Sequence, residues 1–326
     1  MKPTRVLQVL DRLFATRWPV FLWGPPGAGK SSVVRLAAHQ RDLPLIDIRA
    51  SLLDPTDLRG IPAVQDGRAV WCPPSFLPQD DTPPGILFFD ELNAAPALVQ
   101  ASLYQLTLDR RVGEYRLPDG WRILAAGNRA EDHSVTFRMP AALANRFIHL
   151  DFEVDFEDWR AWAGTAGIHP LVVGFLGTRR ELLLRLQHSE RGFPTPRAWE
   201  MVSDALGALG RPTDAADVIL GIVGEGAATE FLGYCDRAIS EEALLAILAD
   251  PTNAALPRTL GDQYALIAYI TANARQREVI DAAGVLIGRL SPELAVLLIR
   301  DLLRVDPMFV RHRAYKDFIA RHAQLL

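Results

Sequence analysis

Residues 24–32 form a glycine-rich stretch with the residue types that bind phosphate. The stretch fits the pattern G-x-x-x-x-G-K-[ST] and directly follows the apolar run Val20–Trp23. Glycines there let backbone N–H groups turn towards phosphate oxygens, while the Lys30 ammonium adds a positive charge near the β- and γ-phosphates. The Ser31 hydroxyl is placed to bind Mg²⁺. We therefore expect nucleotide binding by Gly24, Pro25, Pro26, Gly27, Ala28, Gly29, Lys30, Ser31 and Ser32.

Two acidic residues at the end of a second apolar run supply groups that nucleotide hydrolysis needs. The run Ile86–Asp90 is typical of a strand buried on both faces, and Glu91 follows it. Because open parallel sheets bind ligands at the carboxyl ends of their strands, we expect both acids beside the glycine-rich loop. Asp90 would then hold Mg²⁺ through water, and Glu91 would orient or deprotonate an attacking water. Taken alone, the pair also fits a core strand that ends in two solvated acids.

Three further polar residues follow in chain order. The apolar run 121–126 leads into Asn128, whose amide would reach the γ-phosphate or the attacking water, although Asn after Gly is equally typical of a turn. Arg146 follows Leu-Ala-Asn, and Arg197 follows Pro-Thr-Pro. Neither arginine has an obvious carboxylate beside it, and a lone arginine is most often a surface charge. Only their position in the chain, after the loop and the acidic strand end, distinguishes these arginines from ordinary surface charges.

In this order the motifs resemble those of the AAA+ ATPases and, within them, the MoxR-like group of the dynein-related subfamily. The resemblance covers about residues 1–235. Residues 24–31 are similar to the Walker A motif, residues 87–91 to Walker B, and Asn128 to sensor 1. The resemblance implies that ATP and Mg²⁺ are the cofactors and that the reaction is ATP hydrolysis.

The same resemblance implies a ring of identical subunits, usually a hexamer, with nucleotide between neighbours. Arg146 would be the arginine finger that reaches the neighbour's γ-phosphate, and Arg197 would be sensor 2, acting in cis from a helical lid. Many members of the group carry Asp where this chain has Asn145. In that family the ring remodels a protein client, often together with a von Willebrand factor A-like partner.

The elements that position these residues alternate between short apolar runs and helical patterns. Such alternation predicts an α/β fold in which the parallel sheet of a P-loop AAA+ domain lies between helices. We assign residues 1–152 to this domain. The predicted strands of its sheet are Val20–Trp23, 44–48, Ile86–Asp90, 122–126 and 147–150.

Two segments of this domain are predicted as hairpin inserts, at about residues 53–84 and 111–126. In the first, the turn lies at Asp66-Gly67. In the second, residues 111–117 would pair with residues 121–126 across Pro-Asp-Gly. The resemblance implies that such inserts approach the pore of the ring, where Trp71 or Phe76 would contact a client. Packing of both aromatic rings beneath the loop is the alternative.

After Asp151 the apolar runs have helical spacing. We predict a helical lid domain at residues 153–240 and a helical C-terminal extension at residues 241–326 that serves subunit or partner contacts. Predicted helices include residues 180–187 in the lid and 308–324 at the end of the chain.

Composition narrows the classes of function. A net charge of −4 argues against strong sequence-independent binding of nucleic acid. The two cysteines, Cys72 and Cys235, are far apart and lack the spacing of a zinc site. The first 17 residues have no signal-peptide core, and no run reaches the roughly 18 apolar residues of a membrane span. We therefore expect a cytoplasmic protein.

Three classes of function stay open at this point. The first is a remodelling ATPase of MoxR type that acts on a protein client. The second is a nucleic-acid motor or loader of the same superfamily, which the acidic balance and the lack of a Lys- or Arg-rich tail disfavour. The third is a nucleotide-dependent assembly switch with little turnover.

Overall fold

Five of the nine strands in the described residues pair as one parallel sheet, with the strand before the glycine-rich loop between two others; the order across the sheet is Leu45–Arg49, Ile86–Asp90, Arg122–Gly127, Val20–Trp23, Ile148–Asp151. The computed structural model describes residues 1–132, 136–186 and 191–322. Its strands are β1 (Val20–Trp23), β2 (Leu45–Arg49), β3 (Ile61–Gln65), β4 (Arg68–Cys72), β5 (Ile86–Asp90), β6 (Arg111–Val112), β7 (Tyr115–Arg116), β8 (Arg122–Gly127) and β9 (Ile148–Asp151).

The central strands of the sheet are buried on both faces, as their unbroken apolar runs require. Residues that alternate along each strand face two separate hydrophobic clusters. Phe88 and Leu124 lie in one cluster, and Leu87 and Ile123 lie in the other. The parallel register pairs Trp23 of β1 with Gly127 of β8, so the chain leaves both strands at the same edge of the sheet.

Helices cover both faces of this sheet. Helices α1 (Pro3–Leu13) and α2 (Lys30–His39) contribute to the cluster of Phe88, whereas α4 (Ala97–Asp109) and α5 (Ala141–Ala144) contribute to the cluster of Leu87. This arrangement confirms the predicted α/β fold with a parallel sheet between helices. The helices of the first half of the chain are α1 (Pro3–Leu13), α2 (Lys30–His39), α3 (Pro55–Arg59), α4 (Ala97–Asp109) and α5 (Ala141–Ala144).

The first predicted hairpin is confirmed. Strands β3 and β4 pair in antiparallel fashion across Asp66 and Gly67. Both turn residues have positive φ, 53° and 74°, as the tight two-residue turns of hairpins require.

The second predicted hairpin is wrong. Residues 111–117 do not pair with residues 121–126; β6 pairs with β7 across a turn at Gly113, and β8 pairs in parallel with β1 and β5. The physical reason is burial, because the apolar side chains from Ile123 to Ala126 need cover on both faces, which only the central sheet provides.

The chain consists of two compact units, Met1–Val154 and Asp155–Leu326. In the described residues after Asp151 there is no strand. The division of the second unit into lid and extension at residue 240 stays a prediction. Its helices are α6 (Phe156–Ala166), α7 (Pro170–Thr178), α8 (Pro196–Leu209), α9 (Ala216–Val223), α10 (Glu225–Cys235), α11 (Glu241–Ala249), α12 (Leu260–Ala272), α13 (Arg277–Ile287), α14 (Pro292–Val305) and α15 (Arg313–His322).

Two predicted helices of this unit are wrong in extent. In place of a helix at 180–187 there is a 3₁₀ turn, Arg180–Leu182, because the N–H of Arg185 donates to Pro194 O and not to a helical partner. In place of one helix at 308–324 there are a 3₁₀ turn and α15, separated by His312 in extended conformation. Residues 187, 323 and 324 lie outside the described residues.

Helix α12 packs against α6 and α7, so residues on both sides of position 240 share one core. Within this unit a buried ion pair joins Arg160 of α6 to Asp301 of α14.

Among the helices that the structure describes, each is too short or too polar to cross a membrane.

Candidate functional site

The glycine-rich loop joins β1 to α2 in a conformation that depends on glycine. Gly27 and Gly29 have φ values of 71° and 102°, which side chains with a Cβ rarely adopt. Gly29 is also the N-cap of α2, and as a glycine it has no side chain to accept a hydrogen bond from the first turn of that helix. The N–H groups of the loop and of this turn therefore form the kind of helix N-terminus that binds phosphate.

Lys30, the first residue of α2, is only 7% exposed. Its Nζ donates to Gly24 O at 2.6 Å, to Pro25 O at 2.9 Å and to Asn128 Oδ1 at 2.9 Å. A buried ammonium group needs such partners because desolvation would otherwise oppose its charge. The predicted lysine and the predicted amide are thus in direct contact.

Ser31 and Asp90 also meet. The Ser31 hydroxyl donates to Asp90 Oδ2 at 2.5 Å, and Asp90 Oδ1 accepts from the backbone N–H of Glu91 at 2.9 Å. Asp90 is buried. A hydroxyl and a carboxylate are the hard oxygen donors that Mg²⁺ prefers, and Mg²⁺ commonly takes only one or two ligands from the protein beside phosphate and water. The donor set therefore fits the predicted ion.

Glu91 stands apart from this pair in conformation and contacts. Its φ is 57°, an uncommon value for a residue other than Gly, Asn or Asp. Its carboxylate accepts from Ser51 Oγ at 2.7 Å and from Arg49 Nη1 at 3.2 Å, and the side chain is 42% exposed. Sequence reasoning missed Arg49 and Ser51. The available signal was their place at the carboxyl end of β2, which pairs with β5.

Asn93 is a second residue that sequence reasoning missed. It lies in a 3₁₀ turn after β5, and its side chain bonds to the main chain of Asn128. No local pattern marks this contact, because the two residues are 35 positions apart.

The two predicted arginines belong to different units of the chain. Arg146 follows α5, where its guanidinium lies 4.8 Å from the centroid of the Tyr104 ring and its Nη1 donates to Ala142 O at 3.2 Å. These contacts do not bring Arg146 to Lys30 of its own chain. Arg197 belongs to the second unit, is exposed and is the second residue of α8. The roles assigned to both arginines stay predictions.

The aromatic residues proposed for client contact are half-buried. The guanidinium of Arg59 lies 4.0 Å from the Trp71 ring centroid, and Phe76 packs against the hydrophobic cluster that contains Leu87. The more exposed apolar side chains of the first hairpin are Ile61 and Val64, at 71% and 83%.

Comparison with known proteins gives a family match within the first unit. Residues 19–147 match the family of AAA domains of the dynein-related subfamily. Comparison with curated proteins gives no match. Among solved structures, NtrX from Brucella abortus is similar at 20% identity and a TM-score of 0.40, over 93% of this chain and 67% of that chain.

The Holliday junction branch migration motor RuvB from Thermotoga maritima is also similar. It has 15% identity and a TM-score of 0.39, over 86% of this chain and 87% of that chain. At these values neither structure indicates what this chain acts on. The family match covers the glycine-rich loop, the acidic end of β5 and Asn128. The chain therefore contains an AAA domain of the dynein-related subfamily, at residues 19–147.

Proposed function

We propose that this protein is an ATPase of MoxR type that couples ATP binding and hydrolysis to the remodelling of a protein client. One observation carries the proposal. At the carboxyl edge of the sheet, Lys30 contacts Asn128 and Ser31 contacts Asp90, so that a positive charge, an amide and two oxygen donors adjoin the phosphate-binding loop.

Each residue has a role in binding or in chemistry. The loop N–H groups and Lys30 bind the phosphates of ATP, and the ammonium offsets their charge. Ser31 and Asp90 hold Mg²⁺, which when bound neutralises charge that develops on the phosphates. Glu91 orients or deprotonates the attacking water, and the amide of Asn128 holds the γ-phosphate or that water.

Two arginines complete the site in this proposal. Arg146 acts on the γ-phosphate of a neighbouring subunit, and Arg197 acts on the nucleotide of its own chain from the helical lid. In its own chain Arg146 contacts the Tyr104 ring and Ala142 O, and we take these contacts as support for action across an interface. A head-to-tail interface of this kind forms a ring when its rotation closes, and we propose a closed homohexamer.

We propose that the client is a protein and that a von Willebrand factor A-like partner acts together with the ATPase. The exposed Ile61 and Val64 on the first hairpin supply apolar surface for such a contact. Capture with Glu91→Gln, which should retain ATP in the closed complex, would identify the client. Stimulation of hydrolysis by DNA would favour a nucleic-acid motor instead, and nucleotide-driven assembly without turnover would favour a switch.

The first test separates binding from folding. Lys30→Ala should abolish ATP binding in calorimetry, because the ammonium interacts with several phosphate oxygens in a partly dry site. Lys316→Ala is the matched control, since Lys316 is an exposed lysine on α15. Circular dichroism checks that both variants fold. Wild-type affinity in Lys30→Ala would mean that the loop does not bind phosphate.

The second test separates binding from chemistry. Glu91→Gln keeps the size of the side chain and removes the base, so hydrolysis should fall by roughly 10²–10⁴ while ATP affinity holds. An equal loss of affinity and turnover would instead assign Glu91 a structural role.

A further inference from the structure

Asn93 is a buried polar residue for which the proposed chemistry has no direct use. It is 4% exposed and lies two residues after Glu91, in the 3₁₀ turn Leu92–Ala94. Its Nδ2 donates to Asn128 O at 2.7 Å, and its Oδ1 accepts from the Asn128 N–H at 3.2 Å. One side chain therefore pairs with both main-chain polar groups of Asn128.

The backbone next to Asn128 is shaped for this contact. A Cβ on Gly127 would lie 2.2 Å from Asn93 Oδ1 and 2.7 Å from Cζ of Phe21, so any larger residue at 127 would displace Asn93. Gly127 is the last residue of β8, and glycine at such a place marks a close approach to the backbone.

The other side of Asn128 faces the phosphate-binding loop, because its Oδ1 accepts from Lys30 Nζ. Its main chain is held by a residue on the segment that also carries Asp90 and Glu91. Asn93 thus links the position of the Asn128 amide to the position of the two acids.

We propose that Asn93 is a positioning residue that fixes Asn128 relative to Asp90 and Glu91. The Asn128 amide then meets the γ-phosphate in the geometry that the water activated by Glu91 requires. This inference rests on the proposed function. It adds a residue that touches neither nucleotide nor water and acts only through Asn128.

The chemistry of the contact requires asparagine. A carboxamide offers one donor and one acceptor in a plane, which matches the N–H and C=O of Asn128. Asp at position 93 keeps the acceptor but places a carboxylate against the Asn128 carbonyl. Ala removes both partners and leaves two buried main-chain groups unpaired.

Steady-state ATP hydrolysis tests the inference. In Asn93→Asp and Asn93→Ala we expect kcat to fall by roughly 10- to 100-fold, since a misplacement of about 1 Å has effects of that order. The dissociation constant for ATP should change much less, because Lys30 and the loop are intact. A kcat within about twofold of wild type in folded Asn93→Ala would overturn the inference.

A double-mutant cycle distinguishes positioning from general damage. If Asn93 acts through Asn128, adding Asn93→Ala to Asn128→Ala should lower kcat by less than about twofold further. Losses that multiply in the double variant would show that Asn93 acts by another route and would overturn the inference.

Hydrogen exchange supplies a readout that needs no activity. The Asn128 amide should exchange faster in Asn93→Ala than in wild type. The matched control is Gln100→Ala, which likewise truncates a buried carboxamide, one that donates to Ala95 O at 3.0 Å. The control should lose stability while protection of Asn128 and kcat hold; equal effects in the control would make the role of Asn93 merely structural.

Failure of the proposed function would be distinguishable from failure of this inference. Wild-type protein without ATP hydrolysis would reject the proposed function. Unchanged exchange at Asn128 in Asn93→Ala would reject the positioning contact even in a wild-type protein that hydrolyses ATP.

Discussion

Arg146→Ala should leave the fold nearly unchanged and abolish turnover. In the structure Arg146 stacks on the ring of Tyr104 and makes one hydrogen bond, at 3.2 Å, to Ala142 O. Such contacts at a partly exposed residue contribute about 0.5–1 kcal/mol each, so the free energy of unfolding should fall by about 1–2 kcal/mol. Loss of an arginine finger lowers turnover by roughly 10³–10⁵, which corresponds to about 4–7 kcal/mol of transition-state stabilisation. The effect on turnover should therefore far exceed the effect on stability.

The assay mixes two inactive proteins, Arg146→Ala and Lys30→Ala. In a mixed ring some interfaces combine an intact Lys30 from the first variant with an intact Arg146 from the second. With equal amounts and random assembly, about a quarter of the interfaces are competent, so about a quarter of wild-type turnover should return. Arg5→Ala, which removes an exposed arginine of α1, controls for the loss of charge.

A second mixture tests the reasoning by predicting no rescue. Glu91 adjoins Asp90, and Asp90 contacts Ser31 next to Lys30, so Glu91 and Lys30 must come from the same chain. Lys30→Ala mixed with Glu91→Gln should therefore stay inactive. Light scattering must show that the variants co-assemble. Given co-assembly, no rescue by Arg146→Ala at any ratio would mean that Arg146 acts in cis or not at all, and a persistent monomer with ATP would exclude the ring.

Three further predictions concern other contacts. Ser51→Ala removes a 2.7 Å hydrogen bond to Glu91. In a steady-state assay this change should raise basal turnover by about three- to tenfold. A fall to the level of Glu91→Gln would instead mean that Ser51 positions the base. Burial raises the pKa of Asp301, whereas the ion pair with Arg160 lowers it. Because Asp301→Asn leaves the buried charge of Arg160 without its carboxylate partner, the free energy of unfolding should fall by about 3–5 kcal/mol in urea titrations. Arg160→Met combined with Asp301→Leu should recover most of that loss, and a double variant as unstable as the single one would refute the account. Burial lowers the pKa of His169, and its Nδ1 accepts a hydrogen bond from the first turn of α7. The unfolded chain therefore binds a proton at higher pH than the native protein does, so the free energy of unfolding of wild type should fall as the pH drops below about 6.5. His169→Asn should flatten that profile.

The parts of the fold that the sequence predicted are those with a local cause. The apolar run of β5 needs burial on both faces, and the glycines at 27 and 29 allow positive φ before a helix that starts at Lys30. The turn at Asp66-Gly67 likewise depends only on its own two residues. These features follow from periodicity and backbone preference, so a single sequence is enough to find them.

The errors have non-local causes. Residues 111–117 and 121–126 have the composition of a hairpin, yet the choice of partner for β8 depends on β1 and β5, which are distant in sequence. The predicted helix at 180–187 fails because Arg185 bonds to Pro194, a contact that helical spacing does not reveal. In both cases tertiary pairing overrides a plausible local pattern.

The side-chain contacts of the site follow the strand order of the sheet. Ser51, after β2, bonds to Glu91, after β5; Asn93, also after β5, bonds to Asn128, after β8; and Asn128 bonds to Lys30, which follows the loop after β1. Each of these three contacts joins residues that follow neighbouring strands, so the strand order brings the groups together; the contact of Ser31 with Asp90 instead joins residues that follow β1 and end β5, with β8 between them. A rigid parallel sheet cannot adjust these distances independently. Under the proposed function we therefore expect side-chain contacts to control hydrolysis, and the carboxylate of Glu91, which is part-exposed and bonded to Arg49 and Ser51, is the candidate that Ser51→Ala tests.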